Sequence, residues 1–219
     1  MKILLISSSP NKEKSTTYLL ASEVLKGCAG DRGCVSEVIH LCDLKIEFCR
    51  TLNKCHRKIM GCPIEDDAAM MLEKMLDADG IILATPNYIN CVTASMKAVF
   101  DRSSHFIHCR RLLGKYVAGV VSSGSGHDED VLDYVKYYSH TCGAQYSGGV
   151  SSCARHVKEK SQEARALGGR LASDIKEKKI YPDQIDIIER GKEHFSEVIK
   201  ARKGEWEEEY RYWMDKGWL

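Results

Sequence analysis

The sequence predicts an α/β chain: a doubly wound, five-stranded parallel sheet with helices on both faces, followed by a C-terminal helical extension. Three observations carry this. Short apolar runs alternate with helix-period segments through residues 1–150, the pattern of successive crossover units. The run Ile81-Ile82-Leu83-Ala84 is apolar without interruption, as in a strand covered on both sides. Three loops rich in small and hydroxyl residues, at 7–17, 85–90 and 122–126, each follow such a run, and in open sheets of this class ligands bind beyond the C-terminal strand ends.

The first strand is the apolar run 3–6. It leads into Ser7-Ser8-Ser9-Pro10-Asn11-Lys12-Glu13-Lys14-Ser15-Thr16-Thr17, ahead of a helical pattern built on Tyr18, Leu19, Val24 and Leu25. A strand turning into a helix N-terminus leaves backbone N–H groups aimed at one point, and hydroxyls of Ser7, Ser9, Ser15, Thr16 and Thr17 add donors while Pro10 stiffens the turn. The loop lacks the terminal Gly-Lys-Ser/Thr of a P-loop and the spaced glycines of a dinucleotide-binding turn. Two readings stand: a cradle for a phosphate that is held and not transferred, or a Ser-rich helix cap without a ligand.

A second strand is expected over 35–41, after a loop carrying Gly30, Asp31 and Gly33, and then a long Cys-rich loop runs to Asp67. A helix follows with Met70, Met71, Leu72, Met75 and Leu76 near one face, and Asp66 and Asp67 read as its cap. Asp79-Gly80 ends it before the central strand. Thr93 or Ser95 opens the next helix, through Met96, Val99 and Phe100 to Arg102. A fourth strand is expected over 116–122, a helix over 128–140 and a fifth strand over 144–150, with Gly148 and Gly149 against it. Helices over 157–179, 182–200 and 205–215 carry charge of both signs. Trp206, Tyr210 and Trp213 share one face there, either packed back on the chain or presented to another subunit. Composition divides the chain into domains at 1–155 and 156–219.

The 219 residues are 43% hydrophobic and hold 32 basic against 31 acidic groups, a net charge of +1, which offers neither nucleic acid nor an anionic membrane an electrostatic reason to bind. No run approaches the roughly 18 apolar residues of a spanning helix, and the short apolar start falls below a signal-peptide core, so a cytoplasmic location is expected. Ten cysteines in such a chain read as thiols, metal ligands or redox groups. Cys42, Cys49, Cys55 and Cys62 crowd one segment, whereas Cys91 and Cys109 read as small core residues. His105, His108 and His127 receive no role.

In order along the chain, K-I-L-L-I-S-S-S-P-N, the Cys-rich loop closing in C-P-I-E-D-D, A-D-G-I-I-L-A-T-P-N-Y and S-M-K-A-V-F-D-R at 95–102 resemble the flavodoxin-like NAD(P)H-dependent FMN reductases, more narrowly their iron–sulfur flavoprotein branch. The resemblance covers about residues 1–150 and implies the sheet order 2-1-3-4-5. It places FMN phosphate on Ser7, Ser9, Pro10, Ser15, Thr16 and Thr17. Thr85, Pro86, Asn87, Tyr88 and Ile89 match the loop along the isoalloxazine, and Ser123, Gly124 and Gly126 match a second flavin-side loop. The implied activity is hydride transfer from NAD(P)H to flavin N5, with electrons passed to a small-molecule or protein acceptor. The alternative is an electron carrier linked to ferredoxin without significant NAD(P)H activity, and a third reading is a flavin-binding regulatory module. A homodimer or homotetramer is implied. In the cluster-bearing branch four cysteines hold a [4Fe–4S] cluster; here Cys49, Cys55 and Cys62 match the first, third and fourth places and Leu52 stands in the second. The loop then binds a cluster completed by Cys42, His56 or another subunit, binds zinc, or remains a ligand-free thiol loop.

Overall fold

In the computed structural model, which describes residues 1–30, 33–124 and 126–219, five parallel strands form one sheet in the order β2-β1-β3-β4-β5. The strands are β1 (Lys2–Ser7), β2 (Val35–His40), β3 (Gly80–Pro86), β4 (Tyr116–Ser123) and β5 (Gln145–Cys153). Asp31 of the loop before β2 and Ser125 of the loop after β4 lie outside the described residues. The doubly wound parallel sheet expected from the alternation is present, with the flavodoxin-like strand order.

Alternation along the central strands decides which helix covers which face. Ile3 and Leu5 of β1, Ile82 of β3 and Val120 of β4 join Leu20, Val24, Leu167 and Leu171 in one core, from α1 (Thr16–Cys28) and α7 (Ser161–Glu177). Leu4, Ile6, Ile81, Leu83 and Val121 face the other way. They pack with Met71 and Met75 of α3 (Ala68–Asp77), Val99 and Phe100 of α4 (Ala94–Arg102), and Val131 and Val135 of α6 (Asp128–Thr141). Every residue of β3 and β4 is buried, which is why those strands read as unbroken apolar or small runs.

The helix beginning at Ser161 lies in the same layer as α1, so packing runs across the 155/156 boundary suggested by composition. The two helices approach at glycines: a Cβ on Gly168 would stand 1.9 Å from Val24 O, and one on Gly27 2.1 Å from Arg165 O. β5 is longer than expected and starts and ends later. Its pairing with β4 skips Ser147, since Val117 faces Tyr146 and Ala118 faces Gly148. Gly148 takes φ +131 there, so the glycine that argued against a strand is what permits the bulge.

Beyond α7, α8 (Pro182–Ala201) and α9 (Glu207–Asp215) pack on the short α5 (Ser104–His108) and its C-terminal turn. Trp206 and Trp213 are buried with Cys109 and Ile199, and Trp213 Nε1 donates to His108 O at 3.2 Å. The buried Trp206 and Trp213 are turned inward onto their own chain, the first of the two placements weighed for this aromatic face. Cys109 is in the core as expected, but Cys91 is exposed.

Because neither backbone carbonyl at the α1–α7 crossing can move aside for a methyl group, Gly168→Ala should lower stability by about 1–3 kcal/mol. Urea unfolding of the two proteins at equal m-value checks this.

Candidate functional site

The tip of β1 is fastened to β3, where Ser8 N donates to Ala84 O at 2.9 Å. A single 3₁₀ turn, Lys12–Lys14, then carries the chain to Ser15, whose hydroxyl accepts from Tyr18 N at 3.0 Å and donates to Lys12 O at 2.8 Å. Ser15 is thus the N-cap of α1, and its oxygen is engaged in that role. Thr16 and Thr17, the first two helical residues, keep amides that have no intrahelical acceptor. Their hydroxyls reach 105 residues or more along the chain to Ser122 Oγ, at 3.2 Å from Thr16 and 2.6 Å from Thr17.

Around this helix start lies a cavity of about 270 Å³ lined by Ser9, Asn11, Lys14, Ser15, Thr16 and Thr17 from the first loop, Pro86, Asn87 and Tyr88 from the second, and Ser122, Ser123 and Gly124 from the third, with Ala154. The three loops expected at the sheet edge do converge. Among the described residues no carboxylate lines this cavity, while hydroxyls, an ammonium and free helix amides do. That donor set fits a phosphate monoester such as the one FMN carries. Ser7 Oγ, at the end of β1, is buried and has no hydrogen-bond partner among the described residues.

Not every expected contact faces the cavity. Thr85 is fully buried, and its hydroxyl accepts from Thr93 N at 3.2 Å and donates to Pro86 O at 3.0 Å, tying β3 to the start of α4. Pro10 and Ile89 are exposed, and Ser7, Thr85, Ile89 and Gly126 stand outside the lining. Ile89 is the tip of a two-residue turn closed by Tyr88 N to Cys91 O and Cys91 N to Tyr88 O, at 3.1 and 3.2 Å. Both tip residues are left-handed, Ile89 at φ 55 and Asn90 at φ 53, a strained conformation for a β-branched side chain that is entirely exposed. Asn87 Nδ2 joins this loop to the next, donating to Gly126 O at 3.0 Å and His127 O at 3.3 Å. Gly126 takes φ +99, and a Cβ on Gly124 would meet nothing within 4 Å. Asn11, Lys14, Ser122 and Ala154 escaped the sequence reading, although the hydroxyl-rich run at 122–125 pointed to Ser122.

A second cavity, of about 370 Å³, brings Cys49, Cys55 and Cys62 together with Leu52, His56 and Ser104. Cys55 and His56 lie on the one-turn helix α2 (Lys54–Arg57). Burial pushes the Cys55 thiol up from its ordinary pKa, and Ser104 Oγ lies 3.8 Å from its sulfur. Cys42 is elsewhere, exposed, with Ser9 O its nearest acceptor at 3.8 Å. Three thiols and a leucine do not make the four-thiolate set of a [4Fe–4S] cluster.

The segment is pinned at both ends. Asp66 accepts from Glu47 N at 2.8 Å, Ala68 N at 3.0 Å and both terminal nitrogens of Arg102, whose Nη2 also lies 3.4 Å from Cys62 Sγ. Asp67 accepts from Lys45 N at 2.7 Å and makes no side-chain cap. The expected acidic cap is therefore Asp66 alone, and its larger work is to anchor the loop. At the far side α9 holds α2: Glu207 pairs with Arg57 at 3.3 Å, Glu208 accepts from Ile59 N at 2.6 Å, and Glu209 receives His56 Nδ1 at 2.7 Å and His108 Nδ1 at 3.1 Å. Burial opposes ionisation of Glu209, but the two histidines outweigh it and hold its pKa below the ordinary value. No spacing in the sequence links His56 to a carboxylate 153 residues away. Close by, burial lowers the His105 pKa to about 4.

A family model for NADPH-dependent FMN reductase matches residues 1–160. The chain belongs to this family. An iron–sulfur flavoprotein of Methanocaldococcus jannaschii is 32% identical, over 80% of this chain and 98% of its own length. One from Archaeoglobus fulgidus is 27% identical over the whole of both chains. Among solved structures, a flavone reductase superposes with a TM-score of 0.66 at 21% identity, covering 80% of this chain and 63% of that one, a likeness of fold. Membership of this family makes the protein an FMN-dependent oxidoreductase, and the parallel sheet in the order β2-β1-β3-β4-β5 gives it the flavodoxin-like fold. Among the described residues no helix is long and apolar enough to cross a membrane.

Burial disfavours the Asp66 carboxylate, yet Arg102 and the two amides hold its pKa below the ordinary carboxylate value. Its contribution is therefore complete above about pH 4 and lost as pH falls through the lowered value. Asp66→Asn should reduce stability at pH 7 and flatten the acid limb of a melting-temperature profile; an unchanged acid limb would assign that loss to other groups.

Proposed function

We propose that this reductase takes hydride from NADH or NADPH and passes the electrons to a small-molecule or protein acceptor, with FMN held phosphate-first at the start of α1. The reading is carried by one observation: a cavity of hydroxyls, Lys14 and the Thr16 and Thr17 amides, with no carboxylate among the described residues that line it, at the strand-order reversal of the sheet. When bound, FMN supplies the ring that accepts hydride and releases electrons. The chain supplies position. Thr17 and Ser122 lock the first loop to the third, and Asn87 locks the second to the third, so the surfaces that would flank the ring are fixed relative to the phosphate site. The half-exposed Tyr88 and the exposed Ile89 leave the rim open and apolar, which suits stacking of a nicotinamide or a flat acceptor.

The convergence of three thiols on one cavity favours a second reading, an electron carrier that exchanges electrons with a ferredoxin through a metal centre in that cavity. Anaerobic stopped-flow separates the two. Bleaching of the flavin absorbance by NADH or NADPH supports the first, bleaching by reduced ferredoxin alone supports the second, and no bleaching by any donor leaves a flavin-binding regulatory module.

Thr16→Asp tests the phosphate site. An acidic residue in the first helical turn suits the helix dipole and preserves the fold, but it repels a phosphate dianion. FMN affinity should fall about tenfold or more, ~1.4 kcal/mol, in a fluorescence titration with unchanged circular dichroism; undiminished affinity would move the phosphate elsewhere.

A further inference from the structure

The thiol cavity holds Cys49, Cys55 and Cys62, and in place of a fourth thiol its wall presents Leu52. A single tetrahedral zinc ion, with bonds of about 2.3 Å to sulfur, draws its thiolates to roughly 3.8 Å of one another. Among the described residues the three sulfurs do not gather within 4.8 Å. The set suits neither a single ion nor a four-thiolate cluster, and the reactions open to it are those of sulfur itself.

The three thiols differ in setting. Cys49 is exposed, whereas Cys55 and Cys62 are partly covered. Cys55 has the neutral Ser104 hydroxyl 3.8 Å from its sulfur. Cys62 instead receives a cation, since Arg102 Nη2 lies 3.4 Å from its Sγ. Arg102 is buried and cannot swing away, because its guanidinium also donates to Asp66 Oδ1 at 3.0 Å and to Glu47 O at 2.9 Å. A guanidinium held in this way stabilises negative charge on the sulfur it touches, whether that sulfur attacks or departs. Partial exposure in an electropositive setting is what separates a reactive thiol from an inert buried one.

The rest of the lining is cationic as well. Arg50 and Lys54 line the cavity, both are exposed, and neither has an ion-pair partner among the described residues. The only carboxylate among the described lining residues, Asp101, is paired with Lys97. A cavity of about 370 Å³ has room for a small peptide, and two unpaired cations favour one that carries carboxylates.

We infer that this cavity is a site of thiol–disulfide exchange, in which Cys62 takes up one half of a small carboxylate-bearing disulfide of the glutathione disulfide class and Arg50 and Lys54 receive its carboxylates. The Cys62 sulfur attacks one sulfur of the disulfide. A new S–S bond forms as the old one breaks, the Cys62 proton passes to solvent, and the departing half leaves as a thiolate that is protonated from solvent. Cys62 is oxidised and the departing half is reduced. The flavin takes no part, so the inference stands apart from the flavin reading. Excess free thiol reverses the step, with Arg102 then stabilising the sulfur that leaves.

The test uses the full chain loaded with FMN, reduced with dithiothreitol and desalted anaerobically. Glutathione disulfide is added and adducts are located over time by peptide mass mapping. Cys62 should be modified about tenfold faster than the exposed Cys42 and Cys91, as one charge-assisted hydrogen bond to its sulfur allows. Cys62→Ser should remove this adduct, and dithiothreitol should release it from the wild type. Because both cations are exposed, the double variant Arg50→Glu, Lys54→Glu keeps the fold and should shift the preference from glutathione disulfide to the dicationic cystamine. Reaction at Cys62 no faster than at Cys42 and Cys91, or an unchanged preference in the double variant, overturns the assignment. Uptake of iron and sulfide on the three cavity thiols during anaerobic reconstitution overturns it in favour of a metal centre. The flavin absorbance of the same samples reports on FMN binding separately.

Discussion

Everything functional here depends on where β1 sits. It lies inside the sheet with β2 on one side and β3 on the other, so the chain leaves the C-terminal ends of β1 and β3 toward opposite faces. α1 goes to the face it shares with α7, α3 and α4 to the other, and the ends of β1, β3 and β4 are left with no helix across them. A crevice at that point follows from topology before any side chain is considered. The side chains then set its chemistry. The Thr17–Ser122 hydroxyl pair bridges two loops from strands that are not neighbours, which turns three separate strand ends into one polar wall.

The same constraint explains which parts of the site were legible in the sequence. Ser9, Thr16, Thr17, Asn87 and Gly124 were legible because strand-end loops in a parallel sheet have little else to do, and hydroxyl and glycine residues there are poor core formers. Ser15 and Thr85 share that chemistry, yet the first caps α1 and the second ties β3 to α4. Loop composition identifies residues able to make hydrogen bonds and leaves open whether the partner is a ligand or the chain itself. The fifth strand shows the converse: Gly148 was counted against a strand, but a bulge needs a residue at positive φ, and only knowledge of the partner register reveals it.

The Cys-rich segment was legible as chemistry and illegible as structure. With little regular secondary structure of its own it has no periodicity to read, and its placement comes from contacts with distant residues: Asp66 with Arg102 at one end, three consecutive glutamates of α9 at the other. The acidic run Glu207-Glu208-Glu209 lies in the first turn of α9, where it compensates the helix dipole. Its three side chains nevertheless divide among three tasks: an exposed ion pair, a backbone amide, and a pair of histidines of which His56 is buried and His108 partly buried.

That division bears on how the molecule is built. A surface ion pair such as Glu207 with Arg57 contributes little by itself, about 0–1 kcal/mol. Glu209 is different in kind, since a buried carboxylate deprived of its partners costs about 3–5 kcal/mol. The folding of α9 is therefore tied to the placement of α2, and α2 carries Cys55 and His56. The aromatic residues strengthen this link, because Trp206 packs on both imidazoles and Trp213 is anchored to the His108 carbonyl. A C-terminal helix that composition sets apart from the sheet domain is thus part of what holds the thiol cavity in shape, and truncating it would expose a charged, apolar-walled pocket next to the cysteines.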